Sequence, residues 1–321
     1  MTNSLTSPLD IFRAHPDETR LDELGKRLLD SVPDRQPATL ARAVQNIILH
    51  QQHIELCGAK AAFTEADTER DLSLRSAQRI IDHWVARNPR NSSSGSDTQT
   101  TPSLVVPREA SARVVGTCRE FALLFTSFLR ESGVPARPRV GFADYFSGEG
   151  CDFFVDHWVT EFWHADAGRW VLADAELDDM VCKRNNILFD PLDVPRDRFL
   201  VGGDAWLAVE VEKRLQGDEF GMPWLKGVGM VAGAVERDLA ALNGTSPLCW
   251  EAWPECLMLR VPIKGPVPDE VKEDYGVLAE ASSKAGKKGD ITEEIRMLEK
   301  AITHGAFAKC QPNQMIDLRQ E

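Results

Sequence analysis

Gly116-Thr117-Cys118-Arg119-Glu120-Phe121 opens a helix with a cysteine in its first turn. Thr117 is a suitable N-cap, and Glu120 three residues on completes the reciprocal capping-box pattern T-x-x-E. Apolar residues follow at once: Phe121, Ala122, Leu123, Leu124, Phe125, Phe128 and Leu129. The pattern predicts a helix buried on more than one face, with its N-terminus held by a packed core. Cys118 is then the first helical residue, among free backbone N–H groups at the positive end of the helix dipole. Such a position lowers a thiol's pKa and favours the nucleophilic thiolate. The plain alternative is a small buried cysteine at a helix start.

Downstream, Glu131-Ser132-Gly133-Val134-Pro135 reads as a helix stop, with Gly as the C-terminal cap and Pro just beyond. Ala136 to Phe142 follows as a strand, and Tyr145 to Asp152 as a Gly-containing loop. The runs His157 to Trp163 and Arg169 to Asp174 are rich in aromatic and β-branched residues, and a short Gly-containing connection joins them. This is a hairpin signal. A loop at 164–167 sets Trp163 opposite Gly168 and His157 opposite Asp174. Directly opposed residues have Cβ atoms about 4.5–5.5 Å apart, so a carboxylate could reach the imidazole. Trp158, Phe162, Trp163 and Trp170 read mainly as sheet core.

Upstream, Leu21 to Leu29 has helical spacing, and Pro33 and Pro37 end that element. Thr39 to Leu56 reads as a second helix carrying His50-Gln51-Gln52-His53, and Thr68 to Asn88 as a third. His50 and His53 share a helical face, but no third ligand of suitable spacing is visible, so no metal is expected. Residues 1–17 read as an irregular arm, and the Ser-, Thr- and Gly-rich residues 90–103 as a loop without packed structure. Past the hairpin, Asp190 to Phe199 is a Pro-punctuated loop, and Asp204–Leu215 and Gly233–Leu242 have helical character. Trp250 and Trp253 read as packing residues. Glu270–Ala281 and Thr292–His304 are charged, amphipathic helix candidates in an appended tail.

Composition narrows the function classes. The chain has 321 residues and a formal net charge of -13, which argues against a nucleic-acid groove and against docking on an acidic membrane. Seven cysteines, an odd number with no C-x-x-C, fit neither a zinc site nor a disulfide framework. The N-terminus lacks a signal-peptide pattern, and no apolar run approaches the ~20 residues that span a bilayer. The expectation is a soluble cytoplasmic protein in a reducing compartment.

A capped Cys, a His opening a strand and an Asp closing the next are the parts of a thiol nucleophile system. On the segments GTCREFALLFTSFLRESGVPARPRVGF (116–142), DHWVTEFWHADAGRWVLADAELD (156–178) and DPLDVPRDRFLVGGDAW (190–206), the sequence resembles the transglutaminase-like superfamily of papain-type cysteine enzymes. The likeness is strongest to compact microbial members and runs from roughly 108 to 254, with RDLAALN (237–243) extending it. It implies Cys118 as nucleophile, His157 as base and Asp174 as orienting acid, with Asp178 the second choice for the acid. The implied oxyanion hole uses the Cys118 N–H and a second donor drawn from Gln51, Gln52 or Trp158. Arg119 reads as a surface or structural ion-pair residue.

The expected fold class is therefore α+β: a papain/transglutaminase-like core with the nucleophile helix on an antiparallel sheet. An N-terminal helical part (1–89), a Ser-rich loop (90–107), the core (108–264) and a C-terminal helical extension (265–321) divide the chain. The expected function is cysteine-dependent acyl transfer. The acyl donor is a small molecule, a peptide or a carrier-bound group, and the acceptor is an amine or water, with no cofactor. The rival from another class is an inactive binding or scaffold protein that keeps the fold.

Overall fold

The structure is a computed structural model and describes residues 7–88, 102–147, 153–254, 267–287, 290–305, 307–310 and 314–320. The Ser-rich stretch up to residue 101, Cys151, Cys256 and most of the break at 264–268 lie outside the described residues.

Among the described residues the N-terminal part holds four α-helices: α1 (Glu23–Asp30), α2 (Pro37–Ile47), α3 (Glu65–Leu72) and α4 (Ala77–Arg87). Two expected helices are shorter than the sequence suggests. The second stops at Ile47, because Ile48–His50 forms strand β1 and pairs in parallel with β2 (Val114–Gly116). Gln51–His53 then makes a single 3-10 turn, so His50 and His53 share no helix face. The third splits at 73–76, where Ser73 closes α3 and the Ser76 hydroxyl caps α4. The N-terminal arm is also ordered in part: Pro8–Phe12 is a 3-10 turn that sets Phe12 edge-on against Trp170.

Helix α5 (Cys118–Glu131) forms as its sequence dictates. The Thr117 hydroxyl accepts from the Arg119 N–H, and the Glu120 carboxylate accepts from the Thr117 N–H at 2.8 Å. Gly133, at φ +80°, turns the chain out of the helix, and the Val134 N–H returns to the Leu129 carbonyl at 2.9 Å.

The helix lies against a mixed but mainly antiparallel sheet built on the long hairpin of β3 (Ala136–Ala143) and β4 (Phe154–His164). Strand β5 (Arg169–Ala173) pairs with the second half of β4. After the short α6 (Asp179–Arg184), β6 (Phe199–Val201) adds to the other edge of β3. Gly141 stands opposite both His157 and Val201, and a Cβ there would come within 2.1 Å of the Leu200 carbonyl oxygen. The bare glycine lets β6 approach beside His157.

Beyond β6 come α7 (Gly202–Trp206), a π turn over Leu207–Val211, β7 (Phe220–Met222) and β8 (Leu225–Lys226). Strand β7 runs parallel to the start of β4. Helix α8 (Val228–Leu242) and the tail helices α9 (Asp269–Lys284) and α10 (Ile291–Ile302) complete the order, with β9 (Glu251–Ala252) paired to β10 (Ile316–Asp317). The tail helices do not turn all their charges to solvent. Arg139 is fully buried and binds Glu161, Asp238 and the carbonyls of Ser282 and Ala285, while the buried Arg137 reaches Glu161 and Glu294. Trp253 is buried against Phe307, and Arg319 lies over the ring of Trp250.

Candidate active site

The hairpin places the candidate base and acid together, though not in the expected register. The turn is 165–168, one residue later than the sequence suggests, and His164 pairs with Arg169. Gly168 takes φ +59° and belongs to the turn, with its N–H on the His164 carbonyl at 2.9 Å. The ladder therefore slides by two residues and would set Glu176, not Asp174, opposite His157. An even slide leaves every side chain on its own face. Strand β5 ends at Ala173, and the chain turns there with the Asp174 N–H on the Pro191 carbonyl at 2.8 Å. His157 Nε2 lies 2.7 Å from Asp174 Oδ2. The Tyr145 hydroxyl donates to the same oxygen at 2.8 Å, and the Glu176 N–H to Asp174 Oδ1 at 3.0 Å.

Both residues are buried, and the His157 ring packs against Phe146 and Tyr145 at centroid distances of 4.9 and 6.0 Å. Burial pulls the imidazole pKa down, but the Asp174 charge and hydrogen bond, with Glu176 and Asp156 behind, leave it above its ordinary value. Asp178 serves elsewhere, accepting from the Val181 N–H at the start of α6.

Cys118 stands at the first position of α5, in a small apolar cluster with Ala122, Val140, Trp158 and Ala241. Cys249, which sequence reasoning left out, packs against this cluster and interacts with the Cys118 thiol. That interaction, then burial and the nearby charge, hold the Cys118 thiol well above its ordinary range, against the lowering expected from the helix terminus. Cys249 moves the other way, and the same interaction is the first cause. Among the described residues no hydrogen bond joins Cys118 to His157. Glu176 and Asp156 lie near enough to Cys118 for their charges to disfavour its thiolate.

The three candidate oxyanion donors separate. Gln51 and Gln52 are exposed and line a surface groove with Phe63, Thr64 and Glu65. Trp158 is in the Cys118 cluster, and its indole Nε1 is buried without a hydrogen-bond partner among the described residues. Arg119 is fully buried, paired with Glu120 and bound to the carbonyls of Ser246 and Pro247, a structural ion-pair residue away from the surface.

The parallel β1–β2 pairing brings His50 to the same region, opposite Gly116. With Glu176 it supplies the third member that sequence spacing could not: His50, His53 and Glu176 each place one ligand-type atom within 4.8 Å of the others. The Gln52 N–H donates to His50 Nδ1 at 3.3 Å, so the ring's proton sits on Nε2, 3.9 Å from Glu176 Oε1. His50 thus presents a donor to Glu176, whereas a metal ligand would present a lone pair. Burial pushes His50 down to about 3 and Glu176 up to about 8.

Residues 61–175 match the transglutaminase-like superfamily. The matched segment contains Cys118 and His157 and ends one residue past Asp174. Among solved structures, a proposed cysteine protease from Cytophaga hutchinsonii is similar at 15% identity and a TM-score of 0.32, over 61% of this chain and 46% of that one. The chain thus spans less than half the length of that protein. No curated protein matches the chain. Among the described residues no helix is long and apolar enough to cross a membrane.

Proposed function

We propose that this chain is a cysteine-dependent acyl-transfer enzyme with Cys118 as nucleophile, His157 as base and Asp174 as the residue that orients it. The observation that carries the reading is the 2.7 Å bond between His157 Nε2 and Asp174 Oδ2. A carboxylate accepts the Nε2 proton, which leaves Nδ1 as the basic nitrogen, and the raised imidazole pKa makes it a stronger base. Cys118 passes its proton to Nδ1 as the sulfur attacks an acyl carbonyl. The imidazolium then protonates the leaving group, and a thioester remains on Cys118.

In this mechanism the thiol leaves Cys249 and turns toward His157, and the resting thiol is neutral. The Cys118 N–H, at a helix position whose backbone donors lack intrahelical partners, and Trp158 Nε1 steady the developing oxyanion. Water or an amine takes the acyl group, so hydrolysis and amide formation share the first half-reaction. The acyl donor class is an amide, ester or thioester, free, in a peptide or on a carrier.

The test uses p-nitrophenyl acetate as donor and hydroxylamine as amine acceptor. Expected are an acetyl adduct on Cys118 by peptide mass spectrometry and acetohydroxamate formation, with both lost in Cys118→Ala. Acetylation confined to other residues, or hydroxamate formation untouched by Cys118→Ala, overturns the reading. The scaffold reading draws support from the bond between Cys118 and Cys249, and it predicts no adduct on Cys118 with any donor class.

A further inference from the structure

Cys249 lies on the irregular segment between α8 and β9, and both chain neighbours of Cys118 hold that segment in place. Arg119 donates from Nε to the carbonyls of Ser246 and Pro247 at 3.0 and 2.9 Å, and from Nη2 to Ser246 at 2.6 Å. Thr117 Oγ1 lies 3.3 Å from the Cys249 sulfur. Cys118 stands between these two anchors in the chain. Thr117 is 5% exposed, Arg119 0% and Cys118 8%, so the clamp is part of the packed interior. Cys249 packs on the cluster of Cys118, Ala122, Val140, Trp158 and Ala241.

We propose that Cys118 and Cys249 form a peroxide-driven, reversible disulfide that caps the Cys118 sulfur. The proposal needs only the two thiols and holds whether or not Cys118 turns over a substrate. One thiolate attacks hydrogen peroxide: an S–O bond forms, the O–O bond breaks, and the expelled hydroxide takes a proton to become water. The second thiol attacks the sulfenic sulfur, the S–S bond forms, and the hydroxyl leaves with the thiol proton as a second water. Each sulfur gives up one electron overall and the peroxide accepts two. Either sulfur can take the oxygen first, and the product is the same. A disulfide needs Cβ atoms about 3.5–4.5 Å apart and a bond near 2.05 Å. One partner sits in irregular chain, so the approach of the two sulfurs falls on a loop and spares helix and sheet.

The experiment treats the full-length protein with hydrogen peroxide, blocks the remaining thiols with iodoacetamide and maps non-reduced peptides by mass spectrometry. The expected result is a peptide pair linked through Cys118 and Cys249, loss of alkylation at both, and recovery of both after dithiothreitol. Cys57 and Cys182, which are free thiols, stay alkylated as internal controls. In Cys249→Ser the linkage is absent and Cys118 takes up dimedone, a sulfenic-acid probe. Far-ultraviolet circular dichroism reports whether that variant is folded, and the wild-type map decides the question alone if it is not. Dimedone on Cys118 with Cys249 still alkylated in the wild type, Cys118 linked to another cysteine, or no oxidation at either residue overturns the proposal.

Discussion

His157 and Asp174 are joined by a 2.7 Å hydrogen bond that the strand ladder does not impose. The ladder, extended past Ala173, would pair His157 with Glu176. The bend after β5 delivers the Asp174 carboxylate instead, and Tyr145 pins its position. Replacing Asp174 by Asn keeps the shape but favours the wrong imidazole tautomer. In a comparable triad such a change costs about 10⁴-fold in rate. Asp174→Asn is therefore expected to lower Cys118 acetylation by p-nitrophenyl acetate by about 10³- to 10⁴-fold, with a folded spectrum. A change under tenfold would remove Asp174 from the proposed site.

The Cys118 thiol is held above its ordinary range first by its bond to Cys249. Removing that acceptor should lower the pKa. In Cys249→Ala, iodoacetamide labelling of Cys118 is expected to begin at lower pH than in the wild type. Identical pH profiles for the two proteins would show that burial and the nearby charges set the thiol without Cys249.

Trp158 Nε1 is buried without a partner in the cluster that holds Cys118, whereas Gln51 and Gln52 open on the surface. Loss of one oxyanion donor costs roughly 10²- to 10³-fold in rate. Trp158→Phe should show a loss of that order in the acylation rate, and Gln51→Ala with Gln52→Ala nearly none. The reverse ranking would move the second donor to the 51–53 turn.

Glu176 and His50 make opposite contributions to stability against pH. Glu176 is raised to about 8, so the folded state holds its proton where the unfolded chain has lost it. Its stabilising contribution is complete below about pH 4.3 and is lost as pH rises toward 8. His50 is lowered to about 3, so its contribution is complete above about pH 6.5 and is lost as pH falls toward 3. The two slopes oppose each other between roughly pH 4.3 and 6.5, and above that the Glu176 slope adds to the like-signed slope of His157, whose pKa is also raised. Glu176→Gln should flatten the fall in urea-melt stability between pH 6.5 and 8. An unchanged fall would assign that slope to another group.

Arg139 is a fully buried charge whose partners include Asp238, at 2.9 Å from both Nε and Nη2. Removing one partner of a buried pair costs about 3–5 kcal/mol, because the other charge is left uncompensated. Asp238→Asn should lose stability of that order in urea melts. A loss below about 1 kcal/mol would mean that Glu161 with the Ser282 and Ala285 carbonyls satisfies the guanidinium.

What could be read from the sequence was local. Thr117 and Glu120 cap α5 within one turn, and Ser132-Gly133 stops it, so that helix was legible from adjacent residues. The His157 hairpin was legible as well, but its register depended on whether Gly168 closes the loop or opens the strand. The apolar run Ile47-Ile48-Leu49 suits a helix or a strand, and only its pairing with 114–116 decides, which a helical reading of 39–56 could not foresee. Cys249, Glu176 and the His50 ring reach the site through tertiary packing across long stretches of chain. No spacing rule carries that information. Arg137 and Arg139 read as ordinary strand charges until Glu161, Asp238 and Glu294 arrive from β4, α8 and α10.

That buried charge cluster also constrains how the chain can change over generations. Arg139, Glu161 and Asp238 are mutually dependent, since each neutralises another away from water. A drift at one position is tolerated only after a compensating change at a second. Substitutions at these sites should therefore occur in concert among relatives, and the tail that supplies the Ser282 and Ala285 carbonyls would be inherited together with the sheet it covers.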